Sequence, residues 1–201
     1  KMDRAIDFVL SEGCIVYPTS TLPALGCIPT TNALDMLFKI KGRSSENPVS
    51  LGVSSLDQAS EIVEIPEDVG LILNSFPDGS LTIMLKPHRK MDSRLGGEKV
   101  AIRVVSDTKA RELIESTGPL TATSANVSGE EPLLNCILAA KQLSSPQVPV
   151  LGIGGFCEGG APSTLIAWHT VWDSPESMRI EVIREGKISS EEVLAWWKKM
   201  T

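Results

Sequence analysis

A short apolar run in the middle of the chain ends in a cluster of small polar side chains. Thr123, Ser124 and Asn126 lie close together, just after Leu120. Hydroxyl and amide groups of this size can hydrogen-bond a ligand and leave the neighbouring backbone N–H groups accessible to it. Ligands of open α/β sheets bind outside the carboxyl ends of strands, where this cluster would lie. The same stretch is also compatible with a plain strand and helix, with Ser124 or Asn126 as the N-cap.

Basic side chains lie at two other places where an apolar pattern breaks. Lys41 and Arg43 flank Gly42 at the end of a predicted helix, and a glycine turn there could direct both cations the same way. Ordinary C-capping by the lysine is the alternative. Arg103 interrupts a predicted buried strand, where its charge needs a carboxylate or a bound anion as partner. The sequence favours neither of these two partners.

Hydroxyl groups and a further cation occur at other predicted strands. They are Thr19, Ser20 and Thr21 after the first strand, and Ser163 and Arg184 in the last strand pair. The sequence contains no P-loop, no G-x-G-x-x-G and no candidate Ser-His-Asp triad. Cations and hydroxyls without a base suit a phosphate-bearing ligand, where catalysis depends on positioning and charge stabilisation. The pattern therefore predicts a site that could hold a nucleotide.

The composition argues against several classes of protein. The chain of 201 residues carries a formal charge of −6, which disfavours stable RNA or DNA binding as its main role. None of its four cysteines form a C-x-x-C motif and neither histidine lies near a cysteine pair, so we expect buried free thiols rather than a zinc site. No apolar run is long enough to span a membrane and the N-terminus lacks a signal-peptide pattern, so we expect a cytoplasmic protein.

The hydrophobic periodicity predicts helices alternating with strands, which is typical of the α/β class. Predicted helices cover residues 2–12, 31–41, 56–62, 66–75, 108–116, 132–143 and 190–199. Predicted strands cover residues 13–17, 49–53, 80–85, 99–105, 118–122, 148–153, 162–168 and 179–184.

The sequence also predicts the character of three segments and the number of domains. Residues 22–26 are expected to be irregular. Residues 86–97 form a charged loop, either an ordinary solvated loop or a mobile lid over a site. The helix at 132–143 carries an apolar face of Leu133, Leu134, Ile137 and Leu138. No linker divides the chain, so we expect a single domain over 1–201.

Four blocks of the sequence resemble, in the same order, the YrdC-like family of threonylcarbamoyl-AMP synthases. The blocks are Tyr-Pro-Thr-Ser-Thr at 17–21 with Leu-Gly at 25–26, Lys-Ile-Lys-Gly-Arg at 39–43 with Asn-Pro at 47–48, Val-Ala-Ile-Arg at 100–103, and Thr-Ala-Thr-Ser-Ala-Asn-Val-Ser-Gly at 121–129. The last block together with Lys-x-Arg is specific for the family, whereas each would be weak alone. Weaker similarities follow at 162–164 and 183–186.

The resemblance implies a fold and a reaction. The fold would be α/β, an open, twisted, mixed sheet with flanking helices and a concave, positively charged ligand cleft. The enzyme would convert threonine, bicarbonate or CO2, and ATP with Mg²⁺ into threonylcarbamoyl-AMP and pyrophosphate. A separate transferase would then use the adenylate to modify a tRNA adenosine. Transfer RNA is therefore expected to be an indirect partner, and neither DNA nor a membrane is expected to take part.

The resemblance also assigns roles to individual residues. Those at the ATP site are Lys41, Arg43, Asn47, Ser124, Asn126 and Arg184, and those at the threonine site are Thr21, Arg103 and Ser163. Lys41 and Arg43 would offset charge on the phosphates during catalysis, and we expect both to face solvent in the cleft. No residue is expected to bind a metal directly.

The sequence departs from the family around the expected amino-acid pocket. Leu22, Pro23 and Ala24 replace the usual Val-Tyr-Gly, and Gly52 stands where many members have histidine. These changes affect which amino acid the pocket would accept more than they affect nucleotide binding. Two alternatives therefore stay open. One is a non-catalytic paralogue that binds a nucleotide or RNA, and the other is carbamoyl or adenylate chemistry on a different acceptor.

Overall fold

Ten strands in the computed structural model, which describes residues 1–173 and 178–201, form two mixed sheets. The strands are β1 Cys14–Tyr17, β2 Ala24–Gly26, β3 Leu51–Val53, β4 Leu81–Leu85, β5 Val100–Val104, β6 Leu120–Thr121, β7 Thr123–Ser124, β8 Val150–Gly152, β9 Thr164–Ala167 and β10 Glu181–Arg184. The helices are α1 Met2–Leu10, α2 Thr31–Lys41, α3 Leu56–Ala59, α4 Glu67–Ser75, α5 Thr108–Thr117, α6 Cys136–Leu143 and α7 Ser190–Met200. The predicted α/β class with flanking helices is confirmed, and its strands are divided between two sheets.

The two sheets meet at the polar stretch in the middle of the chain. β6 pairs with β3 at one edge of the six-stranded sheet, whose order is β10-β9-β4-β5-β3-β6. β7 pairs with β2 at one edge of the four-stranded sheet, whose order is β7-β2-β1-β8. Ala122 connects β6 to β7, and its backbone N–H donates to the Ser50 carbonyl at 2.9 Å. Thr123 and Ser124 are therefore placed at the junction of the sheets.

Strand β2 lies in the segment that was expected to be irregular. All three of its residues are buried, and it pairs antiparallel with β1 on one side and with β7 on the other. A three-residue apolar strand is too short to show an alternating pattern, which is why periodicity does not find it. Glycine is required at position 26, because a Cβ there would lie 2.6 Å from the Tyr17 ring.

Helix α2 ends in a glycine turn that separates the two predicted cations. Gly42 has a φ of 59°, and its N–H donates to the Lys39 carbonyl at 3.2 Å. The N–H of Arg43 donates to the Phe38 carbonyl at 3.0 Å, which completes a Schellman motif. The sharp turn predicted from the sequence is present. It does not direct both cations the same way, because Lys41 stays on the buried side of the helix and Arg43 lies in the cavity wall.

Helix α6 begins later than predicted and buries a different face. Its N-cap is Asn135, whose side chain accepts a hydrogen bond from the Leu138 N–H, so neither Ser124 nor Asn126 caps a helix. The helix buries Cys136, Ala139 and Ala140. The larger apolar side chains predicted for its face are partly exposed, and these are Leu133, Leu134, Ile137 and Leu138. Small residues allow α6 to approach the sheet closely, since a Cβ at Gly152 of β8 would lie 2.9 Å from the Ala140 side chain.

Two clusters of buried apolar side chains hold these elements together. The larger one includes Leu34 and Leu37 of α2. The smaller one joins Val9 of α1 to Leu113 of α5. Burial of each such side chain stabilises the fold by about 1.5–3 kcal/mol. Within the described residues, no helix combines the length and the apolar character needed to cross a membrane.

Candidate functional site

A cavity of about 530 Å³ is lined by strands of both sheets. Most of the side chains predicted for the site lie in its wall, and these are Thr21, Arg43, Arg103, Ser124, Ser163 and Arg184. Lys41, Asn47 and Asn126 do not contribute to the wall. The structure therefore brings the six lining residues together in one cavity, although they come from six separate segments of the chain.

The register of the six-stranded sheet places two arginines in one row of side chains. The Cα partners across neighbouring strands are Gly52 with Arg103, Thr82 with Leu165, and Leu165 with Arg184. β4 and β5 pair Ile83 with Ile102, and this register continued by one residue extends the row from Thr82 to Arg103. Strands of a sheet lie about 4.8 Å apart, and residues of one row project from the same face. Arg103 and Arg184 thus enter the cavity from strands that are separated by β4 and β9.

The buried guanidinium of Arg103 has no carboxylate partner in the part of the chain that the structure describes. Arg103 is 6% exposed. Its Nε donates to the Gly79 carbonyl at 2.9 Å, and its Nη2 donates to Thr21 Oγ1 at 3.0 Å and to Ser20 Oγ at 3.3 Å. Burial lowers the pKa of Arg103 to about 10, against a smaller opposing effect of Tyr17. All of its partners are neutral, so its charge remains available to an anionic ligand.

Arg43 and Arg184 bring two more guanidinium groups to the same cavity. Arg43 Nε donates to the Asn47 carbonyl at 2.7 Å, and Arg43 Nη2 donates to the Pro48 carbonyl at 2.8 Å. Arg184 Nη2 donates to the Ser163 carbonyl at 2.7 Å. Burial lowers the pKa of Arg43, and the charge of Arg184 lowers it further. Burial also lowers the pKa of Arg184. No aspartate or glutamate lies in the described lining, so this mutual repulsion is not offset within the cavity.

Lys41 does not face solvent, which corrects the expectation from the sequence. It is 1% exposed, and its Nζ donates to the Ser124 carbonyl at 2.6 Å and to the Asn126 carbonyl at 2.8 Å. Its own carbonyl accepts a hydrogen bond from the Ser128 N–H at 2.8 Å. Burial, together with the charge of Arg43, lowers the pKa of Lys41 from 10.5 to about 8. Lys41 therefore anchors the polar loop after β7 through hydrogen bonds to its backbone carbonyls.

Asn126 contributes to the surroundings of the cavity through its side chain, and Asn47 contributes through its backbone carbonyl. Asn126 Nδ2 donates to the Val127 carbonyl at 3.0 Å and to the Glu130 carbonyl at 2.7 Å, which fixes the loop. The Asn126 Oδ1 atom is buried and has no partner among the described residues. The Asn47 side chain is exposed, and its carbonyl orients Arg43.

The turn after β1 places a threonine hydroxyl on Arg103. Thr19 Oγ1 donates to the Leu22 carbonyl at 2.6 Å and accepts from the Thr21 N–H at 3.1 Å, so the turn is closed by its own hydroxyl. The next three residues, Leu22, Pro23 and Ala24, line the cavity. The departure from the family pattern therefore lies in the wall of the site.

Sequence reasoning missed two features of the cavity wall. Thr82 lies in the wall, and its Oγ1 is 2.6 Å from Ser163 Oγ. Threonine is common in strands, so a single threonine in an apolar run gives no signal. Lys99 also lines the cavity, and its Nζ lies 4.9 Å from the centre of the Trp172 ring. Alternation along the predicted strand at 80–85, combined with the facing Arg103, could have pointed to Thr82.

Part of the charged segment at 86–97 is fastened to α2. Arg94 pairs with Asp35 and with Asp92, the latter at 2.9 Å, and its carbonyl accepts from the Val49 N–H at 2.8 Å. The following Leu95 and Gly96 line the cavity. Residues 92–96, which belong to the segment interpreted as a solvated loop or a mobile lid, are held to α2 by these contacts, and Leu95 and Gly96 form part of the cavity wall.

The four cysteines are buried and form no disulfide. A hydrogen bond with Cys14, together with burial, raises the pKa of Cys27. The hydrogen bond from Cys136 lowers the pKa of Cys157 to about 7, and the backbone N–H of Thr19 contributes in the same direction. The four thiols thus form two pairs, Cys14 with Cys27 and Cys136 with Cys157. Among the described residues, no group of three or more His, Cys, Asp or Glu side chains is placed to hold a metal.

Comparison with known proteins gives consistent matches over nearly the whole chain. The sequence profile of the Sua5_yciO_yrdC family, described as telomere recombination, matches residues 7–186. A protein named threonylcarbamoyl-AMP synthase from Pyrococcus abyssi (strain GE5 / Orsay) is 29% identical over 194 residues, which cover 92% of this chain and 56% of that protein. The uncharacterized protein YciO of Escherichia coli (strain K12) is 28% identical over 190 residues, covering 92% of this chain and 88% of that one.

A solved structure matches the fold in three dimensions. The crystal structure of P. abyssi Sua5 complexed with L-threonine superposes with a TM-score of 0.82 at 26% identity, over 96% of this chain and 56% of that one. The chain therefore spans about half the length of the P. abyssi protein and most of the length of YciO.

Proposed function

The chain belongs to the Sua5/YciO/YrdC family, as its sequence blocks indicated, and on this basis we propose that it is a threonylcarbamoyl-AMP synthase. In the proposed reaction it combines threonine, bicarbonate or CO2, and ATP, and releases threonylcarbamoyl-AMP and pyrophosphate. A relative that is 29% identical carries this name, and the P. abyssi Sua5 structure contains L-threonine. Since the chain spans about half of that protein, the proposal rests on the cavity rather than on the name.

The observation that carries the proposal is a cavity with three guanidinium groups and no carboxylate in its described lining. Besides burial, the charge of Arg184 lowers the pKa of Arg43 and of Arg103, and no carboxylate in the described lining neutralises these groups. A ligand with several negative charges removes this repulsion. The phosphates of ATP and the carboxylate of an amino acid supply such charges. Each charge-assisted hydrogen bond contributes about 1.5–3 kcal/mol.

The proposed chemistry needs no protein nucleophile. The amine nitrogen of threonine forms a bond to CO2 and releases a proton to solvent, which gives a carbamate. A carbamate oxygen attacks the α-phosphorus of ATP, the bond from that phosphorus to the bridging oxygen breaks, and pyrophosphate leaves with the electron pair. Arg43 and Arg184 would stabilise the charge on the phosphates, and Arg103 would bind the threonine carboxylate beside Thr21 and Ser163.

The remaining predicted residues would act by supporting the loop and the cations. Ser124 lines the cavity, and its hydroxyl would contact the nucleotide. Lys41 and Asn126 fix the loop that presents Ser124, through the bonds to the backbone described above. Asn47 orients Arg43 through its carbonyl. Lys41 is thus assigned a positioning role at the ATP site.

The lining fits a magnesium ion that arrives with ATP. The described cavity wall offers hydroxyl oxygens and no carboxylate, and Mg²⁺ in nucleotide enzymes is held largely by phosphate oxygens and water. The bound ion would offset phosphate charge and assist departure of the pyrophosphate. The protein would contribute its three guanidinium groups to the same task.

The adenylate product would be consumed by another enzyme. A mixed anhydride of a carbamate and AMP is an activated acyl donor, so a separate transferase would pass the threonylcarbamoyl group to a tRNA adenosine. We place the reaction in the cytoplasm, which is supported by four buried cysteines without a disulfide. Bicarbonate or CO2 enters as the carbon source of the carbamate.

A second candidate function is carbamoyl or adenylate chemistry on a different acceptor. The observation that favours it is the wall formed by Leu22, Pro23 and Ala24, which lies in the cavity itself. YciO, a relative that matches this chain nearly end to end, is named as uncharacterized. An altered wall would change which amino acid the cavity accepts and would leave the contacts to the phosphates in place.

Product analysis with ATP, Mg²⁺, bicarbonate and threonine tests the proposal. We expect threonine-dependent release of pyrophosphate and a threonylcarbamoyl-AMP adduct by mass spectrometry. Arg43→Ala should abolish the adduct, whereas Arg4→Ala, which removes an exposed arginine of α1, should not. Saturable ATP binding without any threonine-dependent product would refute threonine as substrate and favour the different acceptor.

A further inference from the structure

Two buried hydroxyl groups form a pair in the wall of the cavity. Thr82 is 2% exposed and Ser163 is 3% exposed, and their oxygens are 2.6 Å apart. Both residues line the cavity, so the small exposed area of each faces the ligand space. The pair joins neighbouring strands, because Thr82 belongs to β4 and Ser163 directly precedes β9.

The pair has one more donor than its own hydrogen bonds use. Each hydroxyl carries one O–H, and one of the two is used in the mutual bond. In the part of the chain that the structure describes, no other acceptor bonds to either oxygen, and Ser163 Oγ is approached by a further donor, Arg184 Nη2, at 3.5 Å. One O–H is therefore left for a ligand. The oxygen that carries it can also accept, so the pair matches a ligand group that both accepts and donates, as a hydroxyl does.

The pair lies directly beside the arginine that would hold the amino-acid carboxylate. The register of β4 and β5 pairs Ile83 with Ile102, and continued by one residue it sets Thr82 opposite Arg103. Cross-strand neighbours have their Cβ atoms about 4.5–5.5 Å apart. An amino acid whose carboxylate is bound by Arg103 therefore extends its β-carbon substituents within reach of Thr82. A hydroxyl on that carbon would meet the unused O–H of the pair.

We propose that the Thr82–Ser163 hydroxyl pair reads the β-hydroxyl of the amino-acid substrate and thereby selects threonine over amino acids of the same shape, an inference that rests on the proposed function. Valine has the shape of threonine without the hydroxyl, and its binding would leave the buried O–H unpaired. Sites that hydrogen-bond a substrate hydroxyl discriminate far more strongly than apolar pockets do, so the wild-type preference should exceed about a hundredfold. Thr82 is in this view a specificity-determining residue for the proposed reaction.

The test compares threonine with valine in the wild type and in Thr82→Val. The readout is pyrophosphate release with ATP, Mg²⁺ and bicarbonate, expressed as kcat/KM for each amino acid, and ATP affinity is measured separately by calorimetry. The ratio for threonine over valine should fall about tenfold or more in Thr82→Val, while ATP affinity stays the same. Thr82→Ser keeps the hydroxyl and should keep the ratio. Thr108→Val, at an exposed threonine of α5, is the matched control.

Several outcomes would overturn the inference. An equal fall of kcat/KM for both amino acids would mean that the pair binds a group common to both, such as the carboxylate. An unchanged ratio in an active Thr82→Val enzyme would also refute the selection of the hydroxyl, and would leave the proposed function standing. Absence of any amino-acid-dependent pyrophosphate release by the wild type would instead refute the proposed function and the inference together. Should Thr82→Val fail to fold, Ser163→Ala carries the same expectation and the same refutation.

Discussion

Replacement of Lys41 by methionine separates a positioning role from direct contact with the nucleotide. Lys41→Met keeps most of the aliphatic stem and removes Nζ, which donates to the carbonyls of Ser124 and Asn126 at 2.6 and 2.8 Å. Both carbonyls belong to the loop after β7. The residue is 1% exposed, so water cannot simply take the place of the ammonium group.

The expected loss of stability follows from these contacts. Each carbonyl left without a donor costs about 1–3 kcal/mol. Removal of a charge that burial disfavours offsets part of this, because the pKa of Lys41 is lowered to about 8. We expect a net destabilisation of about 2–4 kcal/mol, which for a chain of this size lowers Tm by roughly 5–15 °C. Nucleotide affinity should fall as well, since the loop carries Ser124.

The pH dependence gives a second and independent signature. The pKa of Lys41 is 10.5 in the unfolded chain and about 8 in the folded protein, so the unfolded state binds more protons between these values. The contribution of this group to the free energy of unfolding therefore rises with pH across that window. Lys41→Met should lack this rise.

The assay is urea unfolding at pH 7.5 and 9.5, together with calorimetry of nucleotide binding. Lys39→Met, at an exposed lysine of the same helix, is the control and should match the wild type in both. Wild-type stability in Lys41→Met, combined with loss of nucleotide binding, would show that Lys41 is a direct ligand. The reasoning from its buried contacts would then be refuted.

Three further variants test other parts of the site. Arg103→Met should raise KM for threonine tenfold or more and change ATP affinity less than about twofold, and an equal loss of both in steady-state kinetics would contradict its place at the carboxylate. Arg43→Ala should weaken ATP binding about tenfold by calorimetry, with Tm within about 2 °C of the wild type because its partners are carbonyls of an exposed loop. Gly52→Ala should lower the free energy of unfolding by about 1–3 kcal/mol, because its Cβ would lie 2.8 Å from the Tyr17 hydroxyl oxygen; an unchanged urea midpoint would speak against this contact.

The cations and hydroxyls of the site were predictable because they interrupt apolar runs. Arg103 shows this most clearly, since a charge in a strand demands a partner and the sequence named the two possible kinds. The structure shows no carboxylate partner among the described residues and gives the guanidinium neutral partners instead, so the bound anion stays a prediction. Arg43, Thr123 and Ser124 were found by the same logic and line the same cavity, whereas Asn126 does not.

What the sequence did not predict depends on contacts between distant segments. Helical periodicity places Lys41 on α2, but its burial results from the loop at 124–128, which lies far along the chain. Strand β2 has three residues and is defined by its two neighbours, so no local pattern reveals it. The hydroxyl pair of Thr82 depends on Ser163, which directly precedes β9 and is distant in the sequence. Division of the strands into two sheets is likewise a property of pairing rather than of composition.

The order of strands in the six-stranded sheet links ligand binding in the cavity to the stability of the folded chain. β9 lies between β4 and β10, so the last strands of the sequence complete a wall that begins with Thr21. A partly unfolded chain that has released β9 and β10 has lost Arg184 and with it much of the affinity for a multiply charged ligand. Ligand at 100 times its Kd therefore adds about 2.7 kcal/mol to the free energy of unfolding. The supply of nucleotide would in this way set the fraction of molecules that are open to proteases, and hence the lifetime of the protein.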